Sequence, residues 1–578
     1  MLNKIGVMKM NLVYSEIGKK KKYITVTLII KTFATLTELF IPLLLTYLID
    51  NIIPKQNIVE IILYGCLMLF ATILTFIGNV VANRMSSRSS TLITKEVRKQ
   101  MFYKVQYLSS KQVDDVTIPT LVTRLTTDTY NVHQVIGMVQ RAGVRAPILV
   151  VGGIIITLII SPILSLILVL LLPFIVFIAL RTSKKSFPIY QDVQKKIDKQ
   201  VEVVRENISG IRVIKSLSKE EYEKNRFNTA NKETNDAEKK AAFLMSKMWP
   251  LIGLILNVGL VLVILVGGYL IDKSLLQPGA IVGYMLIFSY IVNSMLMITR
   301  VFTLLAKAKA SIDRVQEIMD LEDDLLLEEV NKIETDDYIV FDNVSFSYNG
   351  IKNDLENINI RLKKGESLGI LGGTGTGKST LINLLLRLYD PQEGNIYLEG
   401  QNIKSINEED FRKNFGVVFQ NDIIFGDTVR NNINFYRELS DEKIKNAIDN
   451  SQALFINQLE DGLEHEIASR GINLSGGQRQ RVLLARSMAA KPNILVLDDA
   501  SSALDYKTDA ELRKNINQNY KDTTLVIVAQ RISSVMNCEK IIILNDGKIE
   551  AQGTHKELLE KSTTYQTIYQ LQMGAVNE

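Results

Sequence analysis

Apolar positions are unevenly distributed along this chain, and six stretches are apolar enough to cross a bilayer, which takes about 20 residues each. They lie near Tyr23–Ile49, Ile58–Ala82, Val139–Ile160, Ile163–Arg181, Met248–Ile271 and Gly279–Thr299. Pro54, Ser161-Pro162 and Gln277-Pro278 mark three tight connections, while the second–third and fourth–fifth connections are long. The long ones are basic: Arg84, Arg88, Lys95, Arg98, Lys99, Lys104 and Lys111 in one, Lys184, Lys185, Lys195, Lys196 and Lys199 in the other. The short outer turns offer only Lys55 and Lys273. The positive-inside rule therefore puts both termini and both long connections in the cytoplasm.

No proline falls between Pro54 and Pro119, so the second span is predicted to continue as a helix of roughly 50 residues, about 75 Å. Between Pro188 and Pro250 the only glycine is Gly210, which predicts two long helices meeting at a turn near Gly210–Ser216. Such a tip suits docking on a cytoplasmic domain. Charges inside the spans are few. Lys31 and Glu38, seven apart, share a helix face. An intramembrane carboxylate is a candidate functional group, and a structural ion pair or a contact to cavity water is the plainer reading. Arg141, Arg145, Asn257 and Asn293 fit helix packing, as do Met295 and Met297, whose alternative role is a deformable substrate wall.

After an acidic linker over residues 311–336 the pattern changes. Residues 337–578 read as an α/β domain, beginning with apolar strands at Ile339–Phe341 and Ile358–Leu362. The fold class is multidomain: an all-α six-helix transmembrane domain over residues 1–310, then an α/β phosphate-loop domain. Composition narrows the function little. A net charge of +5 over 578 residues is too small to argue for nucleic acid, and Cys66 and Cys538 offer no disulfide or zinc framework. Met1–Lys22 lacks the apolar core of a cleavable signal and is too short for a peptidase domain.

The chemistry is concentrated in the second half. The apolar strand Ser367–Leu371 runs into Gly372-Gly373-Thr374-Gly375-Thr376-Gly377-Lys378-Ser379-Thr380 and then a helix, the setting a phosphate loop requires. Backbone N–H groups and the helix N-terminus hold phosphate oxygens; Lys378 reaches the β- and γ-phosphates of ATP, and Ser379 offers a hydroxyl to Mg2+. Strand Ile494–Leu497 ends in Asp498, a carboxylate placed to hold magnesium through water. Gln420, after the apolar Val417–Phe419, can reach the metal or an attacking water.

Leu474-Ser475-Gly476-Gly477-Gln478-Arg479-Gln480-Arg481 resembles the signature sequence of ATP-binding-cassette (ABC) transporters. Six spans followed by one such domain resemble an exporter-type half-transporter over nearly the whole chain. Tyr348 in Phe346-Ser347-Tyr348 matches the family's adenine-stacking aromatic, and Ser502-Ala503-Leu504-Asp505 resembles the loop crossing between paired nucleotide domains. Glu206–Ser216 resembles the family's second coupling segment, and Asp115–Arg124 sits near the first. The resemblance implies two nucleotide domains closing head to tail on two ATP molecules. Leu474, Ser475, Gly476, Gly477 and Gln478 would then contact ATP on the partner's phosphate loop.

Two positions depart from the family pattern. Asp499 stands where the family has its hydrolytic glutamate, and Gln530 where it has a switch histidine. A carboxylate one methylene shorter falls back from the attacking water, and about 1 Å of misplacement costs roughly a hundredfold in rate. His133, His465 and His555 all lie elsewhere in sequence, and Ser469 is a weaker departure before the signature loop. The expectation is an ATP-hydrolysing translocase subunit with a degenerate site of its own, paired with a second, non-identical half-transporter in a bacterial inner membrane. Its substrate is expected to be a hydrophobic or amphiphilic molecule (drug, lipid or peptide) drawn from among membrane lipids. The alternatives are a lipid flippase subunit and an ATP-sensing membrane receptor that transports nothing.

Overall fold

The computed structural model describes residues 11–573. These divide into two compact units. One comprises the chain up to Tyr107 together with Thr117–Leu321; the other comprises Leu108–Val116 together with the chain from Glu322 onward.

The first unit is helical throughout: α1 Leu12–Lys19, α2 Lys21–Tyr47, α3 Ile58–Gln106, α5 Ile118–Thr123, α6 Thr129–Ile160, α7 Pro162–Ser209, α8 Ile211–Ser216, α9 Glu220–Ser246, α10 Met248–Asp272 and α11 Pro278–Asp320. The α4 segment, Ser110–Val116, belongs to the second unit. Among the described residues five helical stretches are long and apolar enough to span a membrane, and Pro162–Leu171 adds a shorter apolar one. The helix α3 runs unbroken for 49 residues, and α7 and α9 meet through α8, as the proline and glycine spacing predicts. At the start of α7, Pro162 takes the first helical position and the Ser161 hydroxyl accepts from Leu164 N at 3.3 Å, so the turn caps itself.

Each span shows two faces. On α2, Thr27, Lys31, Ala34, Glu38 and Pro42 are buried, while Ile29, Phe33 and Phe40 are exposed. The i, i+4, i+7 spacing of the first set makes one stripe. Small residues set how closely helices approach. A Cβ on Gly78 would stand 2.8 Å from Ala34 Cβ, and one on Gly153 would stand 2.7 Å from Ile291 Cγ1. Tyr284, fully buried among Leu164, Leu168, Ile287 and Phe288, donates its hydroxyl to Leu164 O at 2.8 Å.

One expectation needs correcting here. Ser311–Asp320 is not linker: α11 continues through it because Ser311, Ile312, Val315 and Ile318 bury one face. Asp128 is the reason that face stays buried. Its carboxylate accepts from Ser311 Oγ at 2.8 Å, Arg314 Nε at 3.0 Å and Arg124 Nη1 at 3.2 Å. Burial alone would raise this carboxyl, but the hydrogen bonds from Arg314 and Ser311 outweigh it and hold it below the usual range. Glu38 does form a structural ion pair, and its partner is Arg145 of α6 rather than Lys31. It takes two hydrogen bonds from Arg145, and Lys31 turns to Asn79 and Asn83.

The second unit contains two main sheets. Strands β1 Ile339–Phe346, β2 Leu355–Leu362 and β4 Glu393–Leu398 form an antiparallel sheet with Gln401–Asn402, in the order β2, β1, β4, Gln401–Asn402. The other sheet has six strands, ordered Lys548–Gly553, Lys540–Asn545, β3 (Ser367–Leu371), Thr524–Val528, Ile494–Asp498 and Phe415–Val418. All its neighbours pair parallel except the first two. Ile494–Asp498 is buried at every position, the mark of a parallel strand covered on both faces. The linker is tied down: Glu328 N donates to Lys404 O at 3.0 Å, Ile333 N to Gly400 O at 2.9 Å, and Arg387 to Leu326 O at 2.7 Å.

Candidate functional site

Four neighbouring parallel strands end on the same edge, where open α/β sheets bind ligands. The loop Gly372–Gly377 leaves β3, Asp499 follows Ile494–Asp498, Gln530 follows Thr524–Val528, and Gln420 follows Phe415–Val418. Register fixes their level, since Val528 pairs with both Ile370 and Asp498. Thr374, Gly375, Gly377, Lys378, Ser379, Thr380, Gln420, Asp498, Asp499 and Gln530 line one cleft, with Asp354.

The loop's glycines are required by its shape. Gly375 and Gly377 have φ of +80° and +99°, and a Cβ on Gly372 would stand 2.5 Å from Leu544 O. Gly377 caps α12, Lys378–Leu385, so the helix N-terminus opens into the cleft. The Lys378 ammonium donates to Gly372 O at 2.9 Å and to Gly373 O. Burial lowers its pKa from 10.5, opposed by the charges of Asp498 and Asp499.

Ser379 Oγ and Asp498 Oδ2 stand 3.4 Å apart. Asp498 is 5% exposed, and burial raises its carboxyl above 3.8; the Ser379 hydroxyl opposes that rise, and neighbouring Asp499 adds to it. Two oxygen donors this close, one an anion short of solvent, fit a hard divalent cation. In a loaded site Ser379 and Asp498 would hold magnesium, with Gln420 on the neighbouring strand end; the metal would shield phosphate charge there.

Asp499 has φ of +51°, the left-handed region that Asp tolerates better than most residues. Its N–H donates to Val528 O at 2.9 Å, which fixes the backbone. Burial raises its carboxyl too, with Arg531 and Lys378 opposing. The Gln530 carbonyl accepts from Gln572 Nε2 at 2.9 Å, and Gln572 Oε1 accepts from Ile532 N at 2.8 Å. One side chain from the C-terminal helix Thr563–Met573 thus brackets the Gln530 loop.

Tyr348 stands beside the cleft rather than lining it. Its backbone N–H donates to Asp354 Oδ2 at 2.9 Å, its hydroxyl accepts from Asn383 at 3.0 Å, and its ring meets Tyr389 edge-on at 5.2 Å. Tyr389 in turn donates to Asp114 of α4. The loop 474–478 does not join the cleft. Ser475 caps the helix Gly476–Met488, its Oγ accepting from Gln478 N at 3.3 Å and its N–H donating to Gln478 Oε1 at 2.9 Å. Gly477 packs toward Ala503, where a Cβ would stand 3.1 Å from the carbonyl. Ser475 and Gly476 are exposed, and Ile472 and Tyr506 nearby are each 82% exposed.

Sequence reasoning missed Asp354, Gln572 and Asp114. None belongs to a motif, because each acts on a partner brought close only by folding.

Two family profiles match the chain: "ABC transporter transmembrane region" over residues 24–295 and "ABC transporter" over residues 355–502. It is 33% identical to the Bacillus subtilis protein named uncharacterized ABC transporter ATP-binding protein YfiB over 552 residues, covering 95% of this chain and 96% of that protein. It is 34% identical to YknU of the same organism, also named an uncharacterized ABC transporter ATP-binding protein, over 82% of each. Its fold is similar to the structure of a bacterial Atm1-family ABC exporter with ATP bound, with a TM-score of 0.81 at 21% identity, covering 96% of this chain and 99% of that one.

Proposed function

The chain belongs to the ABC transporter family as an exporter-type half-transporter, and from that premise we propose that it serves a heterodimer whose second subunit does most of the ATP splitting. The observation that carries this reading is the cleft itself. Everything that binds nucleotide is there (the loop, Lys378, Ser379, Asp498), while the two positions that would drive hydrolysis carry Asp499 and Gln530. Asp499 is shorter than the glutamate this chemistry favours, and its backbone is anchored to Val528, so it cannot slide forward to compensate.

The signature loop supports the other half of the reading. Its serine and glycines are intact, Ser475 and Gly476 are exposed, and none of them lines the chain's own cleft, so their ATP lies on another subunit. There Ser475 and the amides of Gly476 and Gly477 stabilise γ-phosphate through preorganised hydrogen bonds. Tyr348 stacks on adenine, and Tyr389 and Asp114 link that base pocket to α4. The membrane unit, in a bacterial inner membrane with both termini cytoplasmic, exports an amphiphilic substrate.

The decisive measurement compares the purified chain alone with the chain co-purified with its partner. Alone, it is expected to bind Mg·ATP but to turn over about a hundredfold more slowly than the pair. Full exporter turnover by the isolated chain overturns the proposal.

A further inference from the structure

One group of charges inside the membrane unit does not balance. Glu38 of α2 accepts from Arg145 of α6 at 3.1 and 2.6 Å, a bidentate and therefore neutral pair. Lys31, two turns earlier on the same buried face of α2, is 4% exposed and donates to Asn79 Oδ1 at 2.6 Å and Asn83 Oδ1 at 3.2 Å. Amide oxygens orient an ammonium without neutralising it. Arg141, one turn before Arg145, meets only the Ser87 hydroxyl, at 3.3 Å. Among the described residues neither Lys31 nor Arg141 forms an ion pair. Glu38 is bonded to Arg145, Arg141 lies one turn from Arg145 on α6, and Lys31 two turns from Glu38 on the same buried face of α2, so the four form one group with three cations and one carboxylate.

This excess is not the usual flanking charge of a span. Lys31 lies ten residues into α2, roughly 15 Å from its start. Uncompensated charge at such depth is costly, and charged groups there face the bundle interior or an aqueous path. Arg145 keeps a third of its side chain accessible, so the cluster can be reached. On α11, Ser289, Asn293 and Arg300 share one exposed face, whereas on α10 the exposed residues from Leu254 to Leu265 are apolar apart from Asn257.

We propose that the molecule exported is an anionic amphiphile, whose carboxylate or phosphate is drawn by Lys31 and Arg141 while its tail occupies apolar surface. The proposal rests on the exporter reading above and names its substrate class. The Glu38–Arg145 pair holds α2 to α6 and, being neutral, selects neither sign of charge, so discrimination falls to the two unpaired cations.

The test uses full-length protein in neutral detergent and three fluorescent amphiphiles sharing one acyl tail, with a carboxylate, methylamide or primary amine head. Binding is read by fluorescence polarisation without ATP. The acid is expected to bind about tenfold tighter than the amide, with the amine weakest, a preference that shrinks as salt rises. Lys31→Gln and Arg141→Gln should each narrow it, while Lys31→Arg and Arg141→Lys, which keep the charge, should preserve it and guard against misfolding. Repeating the measurement in nanodiscs of phosphatidylglycerol or phosphatidylcholine separates the sources of the anion. Loss of the acid preference only in phosphatidylglycerol assigns the site to a lipid headgroup; its survival there assigns it to a soluble acidic amphiphile. Equal binding of acid and amide by the unmodified chain, or a preference that survives both glutamine variants, overturns the proposal. ATP-driven transport persisting in that case would leave the exporter reading standing. An intact preference without transport would sink that reading instead.

Discussion

The phosphate-loop cleft and the signature loop sit in one unit, yet they are finished to different degrees by their own chain. The cleft is assembled from four strand ends and closed on itself: Ser379 meets Asp498, Lys378 folds onto its loop, and Gln572 braces Gln530. The signature loop has its own capping box, Ala503 behind Gly477 and Leu474 packed on the core, and leaves Ser475 and Gly476 exposed. In the proposed reading the complete-looking cleft, with Asp499 and Gln530, hydrolyses slowly, and the incomplete-looking loop serves the faster site. Under the proposed pairing, a site's finish within one chain is a poor guide to where catalysis happens.

The sharpest way to break that contrast is Gly477→Asp. A Cβ there would stand 3.1 Å from Ala503 O, and under the proposed reading the added negative charge repels the partner's γ-phosphate. ATPase of the assembled pair should fall about 10²–10³-fold, while nucleotide binding at the chain's own cleft stays unchanged. Asp499→Asn should cost the pair less than about twofold, since a largely idle carboxylate is removed. The reverse ranking would place the working site in this chain.

Next in size is Lys378→Ala. Its ammonium is the cleft's one lysine, and removing a charge-assisted contact to phosphate costs about 1.5–3 kcal/mol, or roughly ten- to a hundredfold in ATP affinity. Photolabelling with an ATP analogue, read per subunit, should show this chain's signal lost and the partner's retained. Asp499→Glu with Gln530→His should have a smaller effect, raising hydrolysis at this chain's own cleft by up to about tenfold in single-turnover assays. The gain is limited because position 499 holds φ of +51°, which suits Asp better than Glu.

These contrasts also show what the sequence could display. Phosphate binding is legible because contiguous backbone does the work: Gly375 and Gly377 must be glycine wherever that loop occurs. The length of α3 was legible from where proline is absent, whereas α7 continues through Pro173 and Pro188 and was not. The end of α11 was not, because the acidic residues of Ser311–Asp320 mask the i, i+1, i+4, i+7 burial of Ser311, Ile312, Val315 and Ile318. The partners of Lys31 left a trace, two asparagines four apart inside an apolar span, but choosing Arg145 for Glu38 depends on helix packing 107 residues away in sequence. Gln572 left none, since it acts on backbone atoms across the fold.

The smallest expected effect separates binding from folding within the cleft. Burial raises the Asp498 carboxyl above its ordinary 3.8, so the folded chain prefers it protonated. By linkage, that preference stabilises the fold fully below about 3.8 and is lost as pH rises through the raised value; above it, the buried charge is a standing cost. Asp499 titrates with the same sign. Asp498→Asn removes the charge and keeps the shape, so without magnesium it should raise the melting temperature at neutral pH by about 2–4 °C. The advantage should shrink as pH is lowered toward 3.8. With Mg·ATP the order should invert, because only the native carboxylate gains from the cation. A variant less stable than the native chain under both conditions would show that Asp498 holds the cleft together rather than waiting for a metal.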